Sequence, residues 1–137
     1  MRVDPLTVEQ RSALMAKVRS KDTGPEMVVR KLVHAMGYRY RLHRKDLPGA
    51  PDLVFASLGK VIFVHGCFWH LHQGCSLARM PKSRLDFWKP KLEANRERDK
   101  KNLRQLKKLG WTSITIWECQ LGDDKKLRDR IERFLNA

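Results

Sequence analysis

The stretch Asp52-Leu53-Val54-Phe55-Ala56-Ser57-Leu58-Gly59-Lys60-Val61-Ile62-Phe63-Val64-His65 decides the fold. It holds two apolar runs, residues 52–56 and 60–65, rich in β-branched and aromatic side chains. Each is too short for a stable helix, and residues 57–59 between them make a short turn. This pattern predicts two buried neighbouring strands. An acid stands at the head of the first strand and an imidazole at the end of the second.

Upstream, Thr23-Gly24-Pro25-Glu26 reads as a helix start, with proline near the first helical position. Val28, Val29, Leu32, Val33 and Met36 then recur at helical spacing, and Gly37 can end the helix. Residues 38–43 alternate weakly and are expected as a strand. Leu47-Pro48-Gly49-Ala50-Pro51 is a turn-rich connection. Residues 8–19 read as an earlier helix, with a loop at 20–24.

Downstream, residues 83–109 form a long helical stretch, expected to be interrupted or kinked near Pro90. Residues 112–117 read as another strand and residues 123–135 as an amphipathic helix. The order predicts an α/β fold with a mixed sheet and helices on both faces. A single domain is expected over residues 1–137, with an N-terminal helical segment at 1–20 and a core at 21–137.

Charge narrows the partner. The chain of 137 residues carries 29 Lys+Arg against 15 Asp+Glu, a formal net charge of +14. Such an excess favours a polyanion, with nucleic acid first. An acidic membrane surface competes, but no apolar run approaches the roughly 20 residues needed to span a bilayer. The first ten residues include Asp4, Pro5 and Glu9 and no apolar core, unlike a signal peptide. A reducing, cytoplasmic location is the expectation.

Three cysteines cannot close a disulfide framework among themselves. Cys67, His72 and Cys75 lie close enough in one loop to wrap a single ion, and Cys119, just past a strand, supplies a fourth ligand. A site of three cysteines and one histidine is closed and structural, and suits Zn²⁺. The plain alternative is three buried thiols. Phe68 and Trp69 sit between these ligands. Large apolar side chains held at a loop tip can insert between base steps, or they can simply face the core.

Pro51-Asp52 at a strand start offers a second kind of metal site. A carboxylate there, a nearby acid and a backbone carbonyl of the next strand can hold Mg²⁺ for phosphate chemistry. Glu26 is the candidate second acid, although a glutamate in a first helical turn also favours the helix dipole. In the long helix, Leu85, Trp88, Leu92, Asn95, Asp99, Leu103 and Leu106 follow three- and four-residue steps. Asn95 and Asp99 therefore fall where apolar residues are expected. Inward polar groups need partners, and an active site is one reason to keep them. His65 and His70 lie close by in sequence, and either can take a proton near neutral pH.

The run Phe63-Val64-His65-Gly66-Cys67-Phe68-Trp69-His70 resembles the very short patch repair (Vsr) endonucleases. Pro51-Asp52, Asn95-Arg96-Glu97-Arg98-Asp99, Trp117-Glu118-Cys119 and the stretch from Arg11 to Glu26 add to the resemblance, which spans roughly residues 8–121. It implies a restriction-endonuclease-like core and a nick on the 5′ side of the thymine of a T·G mismatch, the product of 5-methylcytosine deamination. By the same resemblance Asp52 and the backbone carbonyl of Val64 bind Mg²⁺, and Glu26, His65 and Asp99 hold metal-bound waters. His70 serves as general base or its aide. Cys67, His72, Cys75 and Cys119 bind structural zinc. Phe68, Trp69 and Trp88 wedge in from the major groove and Met15 from the other, while Lys91 and Asn95 read the mismatched bases. The partners implied are double-stranded DNA, with mismatch-repair proteins and a DNA polymerase downstream, and the chain is expected to be a monomer.

Two features depart from the family pattern. Val64 stands where a threonine is expected, and the loop Gln73-Gly74-Cys75 is one residue longer than in some relatives. Two other readings stay open at this point. One is a nuclease of the same fold with another mismatch or sequence specificity. The other is a non-catalytic, zinc-stabilised DNA-binding module.

Overall fold

The computed structural model describes residues 23–75, 78 and 83–137. The expected helix at 8–19, the segment 1–20 and Met15 lie outside the described residues. The first described helix, α1 (Gly24–Ala35), starts where the sequence indicates. Thr23 caps it, its side chain accepting a hydrogen bond from the Glu26 backbone N–H, and Pro25 sits in its first turn.

Strands β1 (Arg41–Leu42), β2 (Leu53–Phe55), β3 (Lys60–His65) and β4 (Thr112–Trp117) form one sheet in that order. The first three run antiparallel, whereas β3 and β4 run parallel. The strand expected at 38–43 is only two residues long. The turn after β2 is a 3-10 turn (Ala56–Leu58) closed by Gly59 in the left-handed region at φ 66°. That backbone costs glycine no Cβ clash.

Helix α2 (Leu85–Lys108) joins β3 to β4. The sequence suggested an interruption or a kink near Pro90; the helix is not interrupted and runs through the proline. Helix α3 (Asp124–Asn136) is capped by Asp123, which accepts from the Lys126 backbone N–H.

The sheet has a core on each face. Val29 and Val33 of α1 pack with Leu53, Phe55, Ile62 and Ile116 of the sheet and Leu127, Ile131 and Leu135 of α3. On the other side, Val54, Val61 and Phe63 meet Leu106 of α2 and Leu47. Successive strand residues thus point to opposite faces, so both β2 and β3 read as continuous apolar runs. Each fully buried Leu or Ile here contributes about 1.5–3 kcal/mol relative to exposure. The α2 stripe begins later than its spacing suggests. Leu85 is exposed, while Leu92 and Leu106 are buried.

Lys60 shows how the last helix is anchored. Its side chain is buried, and Nζ donates to the backbone carbonyls of Phe134, Leu135 and Ala137. A cation placed there satisfies orphan carbonyls and the negative end of the helix dipole.

Candidate active site and metal centres

The sheet register brings the site residues together. Leu42 pairs with Leu53, so the next residue out on each strand, His43 and Asp52, face each other. The His43 N–H donates to the Asp52 carbonyl at 3.3 Å. On the other side of Asp52, its Oδ2 accepts from the Val64 backbone N–H at 2.7 Å. Glu26, in the first turn of α1, is only 2% exposed. His43 Nε2 lies 2.9 Å from Glu26 Oε1 and 3.0 Å from Oε2. It is 4.0 Å from Asp52 Oδ1. Among the described residues Glu26, His43 and Asp52 form one group able to hold a metal ion.

Burial pushes the Asp52 carboxyl up to about 7. The Val64 N–H opposes that rise, Glu26 adds to it, and His43 opposes it. Two carboxylates in a partly dry site repel each other, and a cation relieves that repulsion.

Sequence reasoning missed His43. The signal was the strand pairing itself, since an antiparallel β1 beside β2 places residue 43 across from residue 52. Residues 38–43 alternated too weakly for that register to be assigned.

A second group gathers His65, His70 and Asp99. The two imidazoles stack 3.7 Å apart and 5° from parallel. His70 Nδ1 meets Asp99 Oδ2 at 2.5 Å. Asp99 is thus a partnered polar residue on the inner side of α2, as its place in the stripe suggested. Burial, with the neighbouring His70, pushes His65 down to about 3 against the pull of Asp99. His65 is therefore neutral at pH 7. The peptide following Val64 links this group to the Asp52 group.

A third group consists of Cys67, His72, Cys75 and Cys119, whose ligand atoms lie within 4.8 Å of one another. The β3–β4 pairing explains the distant member. His65 lies opposite Trp117, and two residues beyond each strand end stand Cys67 and Cys119. His72 Nδ1 lies 3.6 Å from Cys67 Sγ and 3.4 Å from Cys119 Sγ. Burial pushes the Cys67 thiol up to about 12; a hydrogen bond with the Cys119 backbone opposes the rise, while the Cys119 and Cys75 side chains add to it. A buried thiol of this kind ionises when a cation takes its charge.

Phe68, Trp69 and Trp88 form one aromatic cluster, with ring centroids 5.2–6.0 Å apart. All three are half-buried. Lys91 Nζ lies over the rings of Trp69, Trp88 and Phe87. Asn95 is buried. Its Nδ2 donates to the Trp69 carbonyl at 3.2 Å and its Oδ1 accepts from Arg98 at 3.3 Å. Among the described residues no helix is long and apolar enough to cross a membrane.

Comparison with known proteins identifies the family. The family model for DNA mismatch endonuclease Vsr matches residues 3–76. The type II nicking enzyme V.XorIIP of Xanthomonas oryzae pv. oryzae is 53% identical over 133 residues, covering 97% of each chain. The type II nicking enzyme V.NmeAIP of Neisseria meningitidis is 42% identical over 132 residues, covering 96% of this chain and 94% of the relative. The DNA mismatch endonuclease Vsr of Escherichia coli is 40% identical over 119 residues, covering 87% of this chain and 76% of that one. With these motifs and this match, the chain belongs to the Vsr family of DNA endonucleases.

Proposed function

We propose that this DNA endonuclease nicks one strand of duplex DNA on the 5′ side of the thymine of a T·G mismatch, in a single restriction-endonuclease-like domain. The observation that carries the reading is the juxtaposition of two different devices on one loop. Phe68 and Trp69 lead directly into His70, whose Nδ1 is held by Asp99. A wedge that unstacks a base step thereby sits beside a group that can move a proton.

In this reading Asp52 and the Val64 carbonyl hold Mg²⁺. Two hard oxygen donors beside a buried second acid suit such an ion, and His43 stands next to them. When bound, the ion neutralises charge developing on the phosphate and lowers the pKa of water. Glu26 and His65 orient water, and Asp99 fixes the tautomer of His70. His70 takes the proton from the attacking water, leaving 5′-phosphate and 3′-hydroxyl ends.

Cys67, His72, Cys75 and Cys119 hold structural Zn²⁺. Ligands at tetrahedral zinc distances are about 3.6 Å apart for a sulfur–nitrogen pair. The observed 3.6 and 3.4 Å support that assignment.

Phe68, Trp69 and Trp88 open the stack from one groove and Met15 from the other. Unstacking costs least at a mismatch, which favours damaged sites. Lys91 reaches the mismatched bases. Base contact by Asn95 requires its Nδ2 to leave the Trp69 carbonyl. The bacterial relatives support a cytoplasmic, DNA-bound location. The nick itself would then be the substrate for downstream repair proteins and a polymerase.

A second reading has the same chemistry with another specificity, since two close relatives are named as type II nicking enzymes. One assay separates them. Strand-labelled duplexes carrying T·G, matched C·G or other mismatches are incubated with Mg²⁺ or with EDTA. The expected result is one nick beside the thymine of T·G, abolished by EDTA. Equal cleavage of every duplex removes the mismatch claim.

A further inference from the structure

We propose that His43 is a direct ligand of the catalytic cation, so that the Asp52 site is a mixed nitrogen–oxygen site that prefers Mn²⁺ to Mg²⁺. The inference rests on the reading of Asp52 as a metal ligand and adds a residue that the motif does not supply.

The distances carry it. Two adjacent ligands of an octahedral ion at about 2.1 Å lie about 3.0 Å apart, and two opposite ligands about 4.2 Å. His43 Nε2 is 2.9 Å from Glu26 Oε1 and 4.0 Å from Asp52 Oδ1. One ligand atom from each of the three residues lies within 4.8 Å of the others. Nε2 and the Glu26 carboxylate are hydrogen-bonded at these distances, 2.9 and 3.0 Å, and the same spacing suits neighbouring ligands of one ion.

The backbone holds it there. His43 adopts a left-handed conformation, φ 48°, uncommon for a non-glycine residue and retained where the surroundings enforce it. Its N–H is fixed on the Asp52 carbonyl. The residue that presents the imidazole is thus tied to the one that presents the carboxylate. Glu26 is nine-tenths buried or more and faces the same point.

The ligand chemistry sets the preference. Mg²⁺ favours oxygen donors and sheds water reluctantly. Carboxylate, carbonyl and water suit both Mg²⁺ and Mn²⁺, but an imidazole nitrogen is a softer donor, and Mn²⁺, a first-row transition ion, tolerates it better than the harder Mg²⁺.

Mn²⁺ binding to the zinc-loaded protein, followed by electron paramagnetic resonance, tests this without turnover. The wild-type protein is expected to bind Mn²⁺ at least about tenfold more tightly than Mg²⁺ in competition. Its spin-echo spectrum is expected to show nitrogen modulation that changes on ¹⁵N-histidine labelling. His43→Gln should lose the modulation and about tenfold in Mn²⁺ affinity, with little change for Mg²⁺. Nitrogen modulation retained in His43→Gln, with unchanged affinity, overturns the proposal, because the donor would then be another histidine. Absence of histidine nitrogen modulation in the wild type overturns it too, whether or not the variant folds. Asp52→Asn separates the two levels. If it binds Mn²⁺ as tightly as wild type, the reading of Asp52 as a ligand fails. If it loses Mn²⁺ while His43→Gln does not, only the role of His43 fails.

Discussion

The His72 ring stacks face-on against Trp117, their centroids 4.1 Å apart and their planes 7° from parallel. Trp117 also meets His65 edge-on at 5.3 Å. One indole thus forms a shared wall between the Cys67–His72–Cys75–Cys119 group and the stacked histidines. His70 lies in the same short loop as His72, so the position of the imidazole proposed to move a proton depends on the loop that carries Cys67 and Cys75.

If zinc fills the cysteine–histidine group as proposed, removing it should weaken nicking even when Mg²⁺ is abundant. Protein stripped with a strong chelator and returned to Mg²⁺ alone is expected to melt at lower temperature and to lose nicking by at least about tenfold. Zinc should restore both. Full nicking by zinc-free protein would show that the loop keeps its shape without the ion.

Asp99→Asn should slow the chemical step by about 10²–10⁴-fold, the usual range for disabling an acid–base group. The amide can present its NH₂ to His70 Nδ1 and stabilise the wrong tautomer. Single-turnover rates on a saturated T·G duplex measure the step, with zinc content as the control for folding. A rate within a factor of a few of wild type would mean that the Asp99–His70 contact does no orienting.

Asn95→Ala should loosen the wedge. It removes the Nδ2 donor from the half-buried Trp69 carbonyl, and such a hydrogen bond contributes about 0.5–1.5 kcal/mol. The expected outcome is weaker binding to mismatched DNA, with the preference for T·G over other mismatches largely kept. Loss of that preference at unchanged affinity would instead make Asn95 a reader of bases.

The architecture was legible where apolar periodicity was long or turn chemistry was sharp. Residues 60–65 and 112–117 are strands at the expected boundaries, and Thr23 caps its helix as its side chain predicts. The cysteine–histidine group was legible from local spacing, with only Cys119 needing the parallel register of β3 and β4. Of the two outcomes expected near Pro90, the interruption does not occur, because helix α2 continues through the proline. His43 was illegible for a different reason. Its importance lies in a two-residue strand pairing, and so short a strand carries almost no periodic signal.

Metal binding at Asp52 should depend steeply on pH. The unfolded carboxyl titrates near 3.8, whereas in the fold burial raises it to about 7. Between those values the folded chain keeps a proton that the unfolded chain has lost. Without metal, this group's contribution to stability therefore falls as pH rises through that window. Mg²⁺ reverses the sign, since it requires the carboxylate and must displace the proton below about 7. Affinity should weaken towards tenfold per unit as pH drops below 7, so a fixed Mg²⁺ concentration should raise the melting temperature more at about pH 8 than at about pH 6. Asp52→Asn should remove both the metal effect and its pH dependence. An equal Mg²⁺ shift at the two pH values in the wild type would place the bound ion away from Asp52.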